Sequence, residues 1–206
     1  MKKVLLGIVA VLAVLVLGVL ALAATRPTHY TIQRSATVAA APATVHALVD
    51  DLHRFPEWSP WQKLDPAMKI TYDGPPTGVG STYHWVGNKD AGEGRMTITE
   101  SMPGQSVAMK LEFIKPFASV ATTTLAMAPE GEASKVTWMM EGDWDFMSKI
   151  MGLFMNMDTM IGKDFTEGLA NLDRLAQATT AADASAAGAA ADTTGTTAEP
   201  AGTAAN

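Results

Sequence analysis

The chain has 206 residues, a formal net charge of −6 and no cysteine. Disulfides, thiolate nucleophiles and cysteine-ligated metals are thereby excluded. An acidic chain with no basic stripe does not suit nucleic acid, and about 150 residues of globular composition suffice for one domain with a real interior.

Lys2 and Lys3 precede an uncharged run, Val4 to Ala24, made almost wholly of Val, Leu, Ala, Ile and Gly. As a helix this run is about 31 Å long, enough to cross the hydrocarbon core of a bilayer. The lysines ahead of it predict a cytoplasmic N-terminus and a domain on the extracytoplasmic, periplasmic side of the cytoplasmic membrane. Two readings stay open. An uncleaved signal-anchor suits the length of the run, since a secretory apolar core usually has about 7–15 residues. A cleaved signal peptide suits Ala21-Leu22-Ala23, a small-x-small site whose processing would release the domain into the periplasm. Residues 1–25 are thus assigned to anchor or signal, 26–178 to the domain and 179–206 to a tail.

Tyr30 to Ala40 alternates loosely and predicts a first strand. Pro42 opens a short helix at its first turn, where the missing N–H costs nothing. Val45, Leu48, Val49 and Leu52 give that helix a buried side. Pro56 and Pro60 limit Leu52–Trp61 to a second short helix and a turn. Alternating segments then follow at close intervals: Met68–Tyr72, Ser81–Val86, Gly94–Glu100, Val107–Ile114, Ser119–Ala128 and Lys135–Glu141. Gly, Pro, Asn and Asp separate most of them, which predicts an antiparallel meander. In the fourth of these, Val107, Met109, Leu111 and Phe113 share one face.

Asp145–Asn156 carries a helical apolar face of Phe146, Met147, Ile150, Met151, Phe154 and Met155. Five of the 13 methionines lie between Met147 and Met160. Methionine fills irregular or changing space, so this segment reads either as packing on the sheet or as a mobile gate or membrane-leaning surface. From Met157 to Ala178, the residues Met157, Met160, Ile161, Phe165, Leu169, Leu172, Leu175 and Ala176 recur at spacings of three and four, one stripe of a long helix. Strands followed by a long helix predict an α+β layout in which a curved sheet closes over that stripe. After Ala178 the chain is Ala, Thr, Gly and Asp without an aromatic residue, and predicts a disordered tail.

Leu52-His53-Arg54-Phe55-Pro56-Glu57-Trp58-Ser59-Pro60-Trp61, with Gly87-Asn88, Gly92-Glu93-Gly94, Ile161-Gly162-Lys163-Asp164-Phe165 and Gly168-Leu169, resembles the polyketide cyclase/dehydrase group of the START-like (SRPBCC) superfamily. The resemblance spans about Tyr30 to Ala178. It implies a helix-grip: a seven-stranded antiparallel sheet around the C-terminal helix, two short helices after the first strand, and a cavity that takes lipids, polyketides or other apolar molecules.

A sheet bent over one helix leaves a gap unless large side chains fill it, and Trp58, Trp61, Trp85, Trp138 and Trp144 are available to line or plug it. The residues expected to contact a guest are His84, Trp85, Met109, Leu111, Trp138, Met151, Met155, Phe165 and Leu169. His84 enters the cavity only if the Thr82 side of its strand faces inward. No two histidines have metal-ligand spacing, and there is neither a nucleophile elbow nor a phosphate-cradling glycine loop. No catalytic residue, metal or cofactor is therefore assigned. The leading expectation is a membrane-tethered domain binding a hydrophobic small molecule or lipid. Its rivals are a cyclase/dehydrase-like enzyme with His84 or a cavity carboxylate as base, and an envelope interaction protein with a filled core.

Overall fold

The computed structural model describes residues 2–193. Its elements are α1 (Lys2–Ala24), β1 (His29–Val38), α2 (Pro42–Asp50), α3 (Phe55–Trp58), a 3-10 turn at Gln62–Leu64, then β2 (Lys69–Asp73), β3 (Thr82–Val86), β4 (Glu93–Met102), β5 (Ser106–Lys115), β6 (Ser119–Glu130), β7 (Ala133–Asp143), α4 (Phe146–Met151) and α5 (Met157–Thr193). The strands form one seven-stranded antiparallel sheet in the order β1-β7-β6-β5-β4-β3-β2. The first strand closes the meander by pairing with the last, His29 opposite Asp143 and Val38 opposite Ser134. This is the α+β layout that the alternating segments and the final stripe predict, and the helix-grip that the resemblance implies.

Alternation decides the concave face. Along β6, Ala121, Thr123, Leu125 and Met127 are buried while Thr122, Thr124 and Ala126 turn away or stand half-covered; along β7, Val136, Trp138 and Met140 are buried. Phe165, Leu169, Leu172 and Ala176 press the α5 stripe against that face, each almost wholly out of water. At the end of the sheet where β1 finishes and β7 begins, α2 adds Val45, Leu48 and Val49 and makes the interior solid. Ser134 Oγ donates to Ala40 C=O at 2.7 Å and ties that corner down.

Two glycines of the motif region have steric reasons. A Cβ on Gly94 would lie 2.4 Å from two Trp85 ring carbons, so the bare backbone lets the indole lie across β4. A Cβ on Gly168 would lie 2.6 Å from the Trp138 ring and 3.2 Å from Pro60, so α5 approaches both only without a side chain there. Gly94 therefore serves ring packing inside a strand.

α5 runs beyond Ala178 to Thr193, where the sequence predicts the start of a disordered tail. The extension is rich in alanine, the strongest helix former, and the helix continues by propensity without a core to bury it. Residues 181–186 are all exposed. The remainder of the expected tail, 194–206, lies outside the described residues. At the other terminus, α1 is apolar and long enough to cross a membrane, and only around its last turn does it touch the domain, where Ala23 is buried.

Candidate functional site

Between the sheet and the first turns of α5 lies a cavity of about 420 Å³. Its walls come from Tyr83 and Trp85 on β3, Met96 on β4, Leu111 and Phe113 on β5, Thr123 on β6 and Trp138 and Met140 on β7. The α5 side supplies Met157, Ile161, Asp164 and Phe165, and the short-helix region supplies Phe55, Ser59, Trp61, Leu64 and Met68. Asp90 and Ala91 of the β3–β4 turn complete the lining; Leu64 and Asp90 reach solvent and mark the mouth.

Aromatic rings hold the walls apart. Trp138 and Phe165 stack with centroids 4.3 Å apart and planes 3° from parallel, and Trp58 and Trp61 meet Trp138 edge-on at 5.2 and 5.7 Å. Such pairs are worth about 0.5–1.5 kcal/mol beyond their burial, enough to keep large rings fixed rather than collapsed into the space. The indole donors of the three tryptophans that line the cavity are spent within the protein, while the buried Trp58 Nε1, which does not line it, has no partner among the described residues. Trp138 Nε1 donates to Thr123 Oγ1 at 2.8 Å, whose hydroxyl donates to Met139 C=O at 3.0 Å. Trp85 Nε1 donates to Ala91 C=O at 3.1 Å and Trp61 Nε1 to Asp164 Oδ2 at 3.2 Å. With those donors engaged, the wall presents mostly carbon to a guest. Burial raises the Tyr83 phenol above its ordinary pKa, so it stays neutral. Asp90 and Asp164 are the charged groups of the lining, and among the described residues no cationic side chain joins them.

The structure brings Trp85, Leu111, Trp138 and Phe165 together around this space and places the other expected contacts elsewhere. His84 is on the opposite face of the sheet: Tyr83 and Trp85 point inward, so strand parity sends the imidazole outward. There it lies 3.7 Å from Glu93, whose carboxylate accepts from Lys115 Nζ at 2.6 Å. These contacts, chiefly the Lys115 hydrogen bond, hold the Glu93 carboxyl below its ordinary pKa. His84 is thus no base for chemistry in the cavity. Met109 and Leu169 are buried deeper, in the solid part of the core. Met151 and Met155 sit on α4 and its link to α5, both 40% exposed. Met155 borders a separate shallow groove with Arg26, Tyr30, Trp144 and Lys149.

Sequence reasoning passes over Tyr83, Phe113, Met140 and Ile161, although the same patterns reach them. Phe113 shares the alternation of Leu111, Met140 that of Trp138, Tyr83 that of Trp85, and Ile161 lies one helical turn before Phe165. Asp164 and Asp90 carry no such periodic signal.

Comparison with curated proteins gives no match. Among solved structures, a protein from Chromobacterium violaceum is 16% identical with a TM-score of 0.53, covering 71% of this chain and 96% of its own. An uncharacterized protein from Rhizobium leguminosarum is 16% identical with a TM-score of 0.54, covering 72% and 95%. Protein Ms6760 from Mycobacterium smegmatis is 18% identical with a TM-score of 0.52, covering 72% and 92%. These likenesses are of fold. Residues 29–177 match the model of the family described as polyketide cyclase / dehydrase and lipid transport, and the chain belongs to that family.

Proposed function

We propose that the protein binds a hydrophobic small molecule or a lipid chain in the cavity between the sheet and α5, while α1 holds it on a membrane. The observation that carries this reading is a space of about 420 Å³ with a mostly apolar wall whose indole donors are already satisfied. That size falls within the ~300–1,000 Å³ of small-molecule sites. Each CH₂ removed from water contributes about 0.8 kcal/mol, so affinity would come from chain length more than from polar contacts, after the cost of ordering the guest. The carboxylates of Asp90 and Asp164, without a lining cation, favour a guest whose head is neutral or cationic over a fatty-acid anion.

α1 supports the tether, as an uncleaved anchor with the domain on the extracytoplasmic side; N-terminal sequencing that begins at Ala24 or Thr25 would replace it with a released periplasmic domain. To test binding, the full chain in nanodiscs is titrated with fluorescent alkyl probes of equal length bearing alcohol, amine or carboxylate heads. Saturable binding is expected, weakest for the carboxylate. No saturable signal with any of the three would sink the proposal.

A further inference from the structure

We infer that the α4 segment lies flat in the bilayer interface, so that the cavity end of the grip faces the membrane. This rests on the reading of α1 as an anchor. Antiparallel register places the start of β1, the turn between β5 and β6, the end of β7 and the start of α5 at one end of the sheet. The cavity mouth is at that same end, between the β3–β4 turn and the first turns of α5. α1 ends at Ala24 and β1 begins at His29, so the tether is too short to turn this end away from a membrane that α1 crosses.

The surface at this end is unlike the rest of the domain. α4 buries no residue at all, while Phe146, Met147 and Met151 stand in solvent. In the link that follows, Phe154 is 76% exposed and Met155 also projects, and Phe117 in the β5–β6 turn is 66% exposed. Large apolar side chains grouped on a short helix and a neighbouring turn mark a surface built to be covered. α4 is fixed beside the exit of α1: Lys149 Nζ donates to Thr28 Oγ1 at 2.8 Å, and Trp144 N–H donates to Thr28 C=O at 2.7 Å. A helix held there meets the headgroup region, where Phe and Met bury their side chains and Trp is favoured. The chain position of the anchor therefore names the occupant: the lipid surface itself, from which a guest would enter the cavity without crossing water.

The absence of native cysteine makes the test direct. Single variants Met147→Cys, Phe154→Cys, Val14→Cys and Val79→Cys of the full chain are labelled with a fluorophore and reconstituted into phosphatidylcholine vesicles carrying nitroxide lipids. Val79 is the control: it is 59% exposed in the β2–β3 loop at the opposite end. The expected result is quenching at 147 and 154 at least twofold above that at 79, strongest with a shallow nitroxide, and quenching at 14 strongest with a deep one. Quenching at 14 with none at 147 and 154 overturns the inference and leaves the anchor standing. Disulfide-linked dimers of the unlabelled Phe154→Cys variant in air-oxidised vesicles, with no lipid quenching in its labelled form, overturn it in favour of a second copy as the covering surface. No quenching at 14 removes the anchor and the inference with it.

Discussion

The two ends of the grip share one sheet and one helix, yet they are filled in opposite ways. Where α2 folds back, Val38, Val107, Leu125 and Val136 meet Leu48, Val49 and Leu172, each at most 1% exposed. Where α1 and α4 attach, the interior is spanned by rings that brace one another and leave a void. α2 caps one end with branched aliphatic side chains that interdigitate, and among the described residues no helix plugs the other end in that way. One half of the domain is closely packed, and the other encloses the void.

Substitutions can break this contrast. In the solid half, Leu125→Ala is expected to cost about 2–5 kcal/mol, because the surroundings cannot collapse into the space it leaves. Leu111→Ala, facing a void that already exists, should cost clearly less; chemical denaturation of both variants measures the gap, and equal losses would mean that the two halves are packed alike. Next comes Gly94→Ala. Its Cβ would sit 2.4 Å from the Trp85 ring and 2.7 Å from the Glu112 carbonyl, so the ring must move off β4 at a cost of about 1–3 kcal/mol. Tryptophan fluorescence would report that movement together with the stability loss.

Filling the void sharpens the comparison from the other side. Leu111→Trp should leave stability within about 1 kcal/mol of the parent, since the new atoms occupy empty space, while weakening an alkyl probe by tenfold or more. A large stability loss with binding intact would place the guest elsewhere. The smallest effect belongs to Arg34, whose guanidinium donates to Asp158 Oδ2 at 3.0 Å across β1 and α5. That hydrogen bond, more than the accompanying charge attraction, holds the Asp158 carboxyl below its ordinary range. A carboxyl depressed in the folded state adds stability above its unfolded pKa of about 3.9, and that contribution disappears as pH falls through the lower folded value. Asp158→Asn should flatten this acid limb of a stability–pH curve and change little at neutral pH.

Most of the fold is legible in the residues because periodicity carries it. Turn residues divide the strands, Pro42 opens α2 where a helix starts, and the stripe from Met157 to Ala176 has a single period. The site is less legible for a physical reason. Alternation tells which residues share a face, but not how deep along that face the packing stops, so Met109 and Leu111 look alike although only Leu111 borders the void. His84 shows the other weakness: a five-residue strand with aromatic side chains at Tyr83 and Trp85 and polar ones at Thr82 and His84 fixes its facing only once its neighbours are in place. The helix beyond Ala178 follows local propensity, which the absence of large apolar residues obscures.

Photo-crosslinking tests the central claim most directly. The full chain is reconstituted in nanodiscs containing a lipid with a diazirine at the chain terminus, irradiated and digested, and the labelled residues are located by mass spectrometry. The account predicts labels on cavity residues such as Leu111, Met140 and Phe165 in addition to α1, with the cavity labels lost in Leu111→Trp. Labels confined to α1 and α4, with none inside the grip, would contradict it.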